Sequence, residues 1–229
     1  MNRAQRPPKI PEQIGEKIRD ARIARGAQTR SRILTATRAV LARHGQDLTL
    51  DHVAERLGLT KQAVLYHFPS KDRLLVELAL LGIAEEAEAM LAALAPARSA
   101  AEAVRCFLRA SLGFHLADLE RFRLIYVRAQ IVRGAKDTLP SPERKARIYP
   151  VTSRMYQALE EKLRADPGFP KHLDPRTLAV SIHLAAIGYA TMAGELQGAK
   201  DAMKHPFERY ADELATAISG GFDRARRRG

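Results

Sequence analysis

From Ile33 onward, apolar residues recur at helical spacing. Ile33, Ala36, Thr37, Val40 and Leu41 occupy positions i, i+3, i+4, i+7 and i+8, one stripe of an amphipathic helix. Gly45 predicts its end. Leu50, Val53, Ala54 and Leu57 repeat the pattern behind Thr49, a residue type whose hydroxyl suits a helix N-cap. Gly58 predicts a stop after about two turns. Thr60 opens a third short helix running through Tyr66. Phe68 stands before Pro69, which disfavours helical geometry there, and Ser70 opens a fourth helix through Leu74, Leu75, Leu78 and Leu81.

Further helices are predicted over 71–94, 99–117, 119–133, 144–165, 175–197 and 207–226, with breaks at Pro96, 134–142, 166–175 and 198–206. Strand alternation bounded by hairpin signals is absent, so the fold class is all-α. Upstream, Pro7, Pro8 and Pro11 oppose helix. A short helix is expected from Glu12 to Arg25, with Gly26 as its stop. The division that follows is a basic N-terminal arm over 1–27, a three-helix helix-turn-helix domain over 28–74, and a helical body over 75–229.

The spacing inside the second domain is specific. Ala54 is small where two helices must cross closely, Gly58 can take the positive φ that the turn requires, and Val64 is the apolar residue of the next helix that faces back. This is the pattern of a helix-turn-helix. Charge then gives the pattern a partner. The 229 residues carry a formal net charge of +12, and residues 1–32 hold nine basic and three acidic side chains, against 19 and 18 over residues 74–222. A basic N-terminal part on a near-neutral body suits a polyanion. Helix ends arranged for duplex phosphates favour double-stranded DNA over a membrane surface.

At Thr29 to Leu75 the residues resemble the DNA-binding domain of the tetracycline-repressor (TetR) family. The matching pieces are ILTATRAVLARHG in the first helix, TLDHVAERLGLT across the second helix and turn, and YHFPSKDRLL leading into the fourth. Gln62, Val64 and Leu65 depart from the family's usual Gly, Leu and Tyr. The resemblance implies an effector-binding, dimerising body and a homodimeric, ligand-responsive transcriptional regulator, a repressor, released from a near-palindromic operator by a small molecule. A non-sensing architectural DNA-binding protein is the alternative reading.

The expected DNA contacts divide by chemistry. Thr49, Thr60 and Ser70 stand at helix N-termini, whose free N–H groups and dipole suit phosphate. Lys71, Tyr66 and His67 can donate to phosphate oxygens, which sets register and carries no sequence information. Lys61, Gln62 and Ala63 open the recognition helix and are the candidates for base contact. Arg19, Arg22, Arg25, Arg30 and Arg32 precede the first helix and suit either a minor-groove arm or a basic tail.

In the body, polar and aromatic residues embedded in apolar helices are the candidate effector pocket: His115, Tyr126, Tyr156 and His183, with Phe107, Phe114 and Phe122. A histidine in such a helix is also readable as a hydrogen-bonded core residue. His115 and His183 have no ligand spacing, so no metal site and no cofactor are expected. Helices 175–197 and 207–226 are the dimer candidates, since Ala185, Ala186, Gly188, Ala190, Ala193 and Gly194 permit close approach. The single cysteine, Cys106, excludes an internal disulfide. HExxH, GxSxG, P-loop and GxGxxG motifs are absent, so no enzyme is expected. The start MNRAQRPPKIPEQ lacks an apolar stretch. The most apolar window, Leu178 to Gly194, is short for a membrane span and holds Ser181, His183, Tyr189 and Thr191. A cytoplasmic protein without membrane contact is expected.

Overall fold

The computed structural model describes residues 12–128, 141–195 and 206–226, and every regular element among them is helical. In chain order these are α1 (Glu12–His44), α2 (Leu50–Leu57), α3 (Lys61–His67), α4 (Lys71–Leu94), α5 (Ala100–Leu116), α6 (Leu119–Phe122), α7 (Ser141–Ala165), α8 (Pro175–Glu195) and α9 (Phe207–Arg226). A π-helical turn, Arg123–Arg128, follows α6. The chain divides into two compact units, Met1–Lys71 and Asp72–Gly229.

In the first unit, α1 packs on α2 and α2 on α3. The apolar stripe read from the sequence is the core: Ile33, Ala36, Val40 and Leu41 of α1 are buried with Leu50, Val53 and Ala54 of α2 and Val64 of α3. Leu48 and Phe68 close it. Thr37 lies on the same stripe without penalty, because its hydroxyl donates to the Ile33 carbonyl at 2.7 Å. Gly45 ends α1 at φ 52°, and Gly58 ends α2 at φ 63°. At Gly58 the left-handed turn directs its N–H onto the Ala54 and Glu55 carbonyls, and Leu59 N–H bonds the Ala54 carbonyl at 2.9 Å. That is how the freed carbonyls at a helix end are satisfied.

One expectation fails here. Gly26 does not stop a short helix; α1 runs unbroken from Glu12 to His44. A helical glycine costs only about 1 kcal/mol relative to alanine, and the residues around Gly26 are mostly good helix formers. Residues 12–27 are thus the first turns of α1, and Arg19, Arg22, Arg25, Arg30 and Arg32 all lie on it. The remainder of the expected arm, 1–11, lies outside the described residues.

In the second unit α5 is the central helix. Ala100, Ala103, Val104, Phe107, Leu108, Ser111, Leu112 and His115 are all buried along it, and it packs against α6, α7, α8 and α9. Ser99 caps it by accepting from Glu102 N–H at 3.2 Å, and Ala100 N–H donates to Asp166 at 2.8 Å. The surrounding core is aliphatic: Met90 and Leu94 of α4, Met155, Leu159 and Leu163 of α7, Ala179, Ile182 and Ala186 of α8, Ala211 and Ala215 of α9.

Gly26 and Gly58 of the first unit are expected to respond in opposite directions. Gly26→Ala should stabilise by about 0.5–1 kcal/mol, since its surroundings are open and its backbone is helical. Gly58→Ala should destabilise by about 1–2 kcal/mol through its left-handed backbone. Urea unfolding followed by circular dichroism measures both, and a loss at Gly26 would contradict the continuous helix.

Candidate functional site

The outward chemistry of the first unit sits around α3. Thr49 caps α2 by accepting from His52 N–H at 3.2 Å, and Thr60 caps α3 by accepting from Ala63 N–H at 3.2 Å. Lys61, Gln62 and Ala63 form the first turn of α3, with Lys61 and Gln62 exposed and Ala63 half-buried. Tyr66 is 77% exposed, far beyond what a packing tyrosine shows. Half-buried His67 stands edge-on to it, with ring centroids 5.2 Å apart. Ser70 immediately precedes α4, and Lys71 begins it. The expected contact residues thus fall around one short helix.

Two internal contacts constrain them. Lys61 Nζ pairs with Asp51 at 2.8 Å, both well exposed, a contact weak enough to exchange for phosphate. Lys71 Nζ donates to the Leu48 carbonyl at 3.2 Å, which ties the start of α4 to the turn before α2. Arg30 was expected only as one charge of the arm. Its guanidinium donates to the His67 carbonyl at 2.9 Å and lies 4.2 Å over the Phe68 ring, so it fixes the end of α3 from α1. A charge at that position carries no sequence signal for such a role.

The body holds a second constellation, turned inward. All seven residues of the expected pocket converge. Phe107 lies edge-on to His183 at 5.8 Å, and Phe114 and Phe122 lie 5.9 and 5.2 Å from the His115 ring. Tyr126 stands 5.3 Å from His115, and Tyr156 lies 5.6 Å from His183. At their centre is a residue the sequence reading missed, Glu86 of α4, which is 2% exposed. Its carboxylate accepts from the Tyr126 hydroxyl at 2.7 and 2.9 Å and lies 2.8 Å from His183 Nε2. His183 Nδ1 is 2.7 Å from the Tyr156 hydroxyl. In this geometry Nε2–H can donate to Glu86 while Nδ1 accepts from the Tyr156 hydroxyl. A signal for Glu86 did exist: buried Leu74, Leu78, Gly82, Glu86, Met90 and Leu94 recur every fourth residue of α4, so the carboxylate falls on an apolar stripe.

His115 differs from His183. Its Nε2 lies 3.3 Å from Glu86 Oε1, yet neither ring nitrogen makes a hydrogen bond among the described residues, although both are buried. The reading of these histidines as hydrogen-bonded core residues holds for His183, and among the described residues it does not hold for His115.

Electrostatics follow the geometry. Burial pushes the Glu86 carboxyl up, but the His183 hydrogen bond and charge, the His115 charge and the Tyr126 hydroxyl outweigh it and hold the group below the usual carboxylate range. Burial lowers His115 to about 4 against the attraction of Glu86, so its imidazole is neutral near pH 7. Burial, then the Glu86 charge and hydrogen bond, push the Tyr126 hydroxyl far up, and burial raises Tyr156 to about 12. Both tyrosines therefore stay protonated donors.

The fold of the described residues has counterparts among known structures. Residues 33–78 match the family described as bacterial regulatory proteins, tetR family. The fold is shared with a tetR-family regulatory protein from Rhodococcus RHA1, at 20% identity over 82% of this chain and 95% of that one, TM-score 0.61. It is shared with the TetR family transcriptional regulator PfmR from Thermus thermophilus, at 23% identity over 81% and 96%, TM-score 0.54. A third similar structure is the transcriptional regulator FadR from Bacillus subtilis, solved in complex with stearoyl-CoA, at 16% identity over 83% and 98%, TM-score 0.61. No curated protein matches the chain in sequence. The family match is thus confined to the helix-turn-helix and the start of α4, and the described residues share the all-helical fold of these structures. Among the described residues, no helix is long and apolar enough to cross a membrane.

The unequal bonding of Glu86 and His115 predicts unequal losses. Glu86→Ala should lower the unfolding free energy by about 3–5 kcal/mol, because the buried hydroxyl and imidazole it serves lose their partner. His115→Leu should cost under about 1.5 kcal/mol, since no hydrogen bond is lost. Urea unfolding of both variants checks this, and equal losses would contradict it.

Proposed function

We propose that the chain is a homodimeric, ligand-responsive transcriptional repressor. It binds a near-palindromic operator in double-stranded DNA through α3 and is released by a small-molecule effector bound in the body. The observation that carries the reading is the exposed face of α3. Tyr66 is 77% exposed beside Lys61 and Gln62, in a unit whose sequence matches a family of bacterial regulators. The exposed Tyr66 hydroxyl is free to donate to a phosphate oxygen. Gln62 has the amide geometry to pair bidentately with adenine, and Lys61 can donate to guanine. Tyr66, His67, Lys71 and the Thr49, Thr60 and Ser70 helix starts supply the phosphate contacts.

Support for a dimer comes from α8. Leu184 is 59% and Met192 50% exposed, and Gly188 between them has open space where a Cβ would stand. The three lie four residues apart on one face, and Tyr210 of α9 is a further exposed aromatic. The small residues of α8 divide accordingly. Ala186 and Ala190 are buried in the chain's own core, Ala185 and Ala193 are half-buried, Gly188 is exposed, and Gly194 lies outside the residues whose side chains are described. A two-fold dimer would set two α3 helices about 34–36 Å apart in successive major grooves. Support for an effector is the inward cluster around Glu86, together with the stearoyl-CoA complex of a protein with this fold. A regulator that acts on bacterial DNA works in the cytoplasm.

Gln62→Ala is expected to lose about 1–3 kcal/mol of discrimination between cognate and scrambled operators, whereas Tyr66→Phe weakens both about equally. Fluorescence anisotropy against a fragment selected from a random DNA pool measures the two, and an intact preference in Gln62→Ala removes that residue from base reading.

The dimer has its own test. Leu184→Glu combined with Met192→Glu is expected to convert the protein to a folded monomer in sedimentation velocity, with loss of operator affinity. An unchanged dimer would place the interface elsewhere.

A further inference from the structure

Glu86, His115 and His183 each offer a ligand atom, and the three atoms lie within 4.8 Å of one another. All three side chains are at most 3% exposed. They come from α4, α5 and α8, which explains why no ligand spacing exists in the sequence. We propose that Glu86, His115 and His183 form a binding site for one divalent transition-metal ion, with Tyr126 and Tyr156 as its supporting hydrogen-bond partners. The site is the polar centre of the effector reading above and names the ligand class there; it rests on that reading only for any effect of the ion on DNA binding.

The distances suit such an ion. Nitrogen and oxygen ligands at about 2.0–2.2 Å from a tetrahedral zinc lie about 3.3 Å from one another. Glu86 Oε1 is already 2.8 Å from His183 Nε2 and 3.3 Å from His115 Nε2. The two imidazole rings are nearly parallel, at 19°, and the ring that must turn to complete the set is His115, which no hydrogen bond among the described residues holds. Two imidazoles and one carboxylate suit zinc, iron(II), cobalt or nickel, and are too few oxygens for calcium or magnesium.

The second observation is His115 itself. A buried imidazole that makes no hydrogen bond among the described residues is an unexplained group in a native core. The third is charge. Glu86 is a buried carboxyl group whose ion-pair contacts among the described residues are the two histidines. A divalent ion would supply a full counter-charge where burial makes one most needed.

The supporting contacts also work with a metal in place. For His183 Nε2 to ligate, its proton must move to Nδ1, and Nδ1–H then donates to the Tyr156 oxygen 2.7 Å away. The Tyr156 hydroxyl can pair with Nδ1 in either tautomer. Tyr126 continues to donate to the carboxylate. Metal sites commonly orient a ligating histidine through its other nitrogen and hold a ligating carboxylate by a hydrogen bond.

The test uses the full chain, stripped with a chelator and exchanged into chelator-free buffer. Zinc is titrated in competition with a chromophoric chelator, and cobalt(II) is added separately to read ligand-field bands. One ion per chain and cobalt bands in the visible are expected. His115→Leu, which keeps the fold by the reasoning above, should weaken zinc at least 100-fold and abolish the bands, while the exposed His172→Ala leaves both unchanged. Substoichiometric zinc on the wild type, or wild-type affinity and bands in His115→Leu, overturns the proposal. Should His115→Leu fail to fold, the wild-type stoichiometry and cobalt spectrum still decide it. Operator binding by the wild type, measured in parallel, separates failure of this site from failure of the regulator reading.

Discussion

A charged carboxylate in the middle of a helical core constrains everything around it. Glu86 is buried at 2% exposure, and an ionised carboxylate in an apolar interior is untenable without partners. The body answers with hydroxyls and imidazoles from the Arg123–Arg128 turn, α5, α7 and α8. Each must reach the same small volume, so the arrangement of those elements is set by polar chemistry as much as by apolar contact. Gly82, one helical turn before Glu86, belongs to this constraint. A Cβ there would stand 2.8 Å from Ile125 Cδ1, and the neighbouring Tyr126 must come close enough to donate to Glu86. The π-helical geometry of Arg123–Arg128 is the local device that presents it, in keeping with the frequent use of such turns at functional sites.

The two units treat polar groups in opposite ways. In Met1–Lys71 the buried core among the described residues is apolar apart from Thr37, which bonds its own helix, and the polar side chains around α3 face solvent. Such a unit is stabilised by its small apolar core and by caps, while its outward residues are left free to be chosen by a partner. In Asp72–Gly229 the polar residues around Glu86 point inward, most of them bonded to one another. An outward polar face suits a large polyanion, and an inward polar centre suits something small enough to be enclosed.

Local features were legible because they are encoded within a few residues. The caps Thr49 and Thr60 and the stop at Gly58 follow from one hydroxyl or one missing Cβ. The helices predicted over 71–94 and 207–226 match α4 and α9, with Pro69 and Pro96 flanking the first and Pro206 preceding the second. Gly26 misled for the complementary reason: a glycine is a stop only when the backbone beyond it turns, and here the neighbours favour continuing the helix. The seven aromatic and histidine residues of the body stood out as polar or aromatic positions in apolar helices, but nothing in their spacing said that they would meet.

What the sequence determined by itself was the helical class, the helix-turn-helix and its exposed recognition turn, since these depend on periodicity and on turn chemistry between near neighbours. Only the tertiary structure decided that Arg30 holds the end of α3, that Ala186 and Ala190 face inward while Leu184, Gly188 and Met192 face out, and that Glu86 joins His115 and His183 at one point. Those outcomes hang on how helices far apart in the chain rotate about their axes when they pack. That rotation is selected by the whole core at once, and no short stretch of residues carries it.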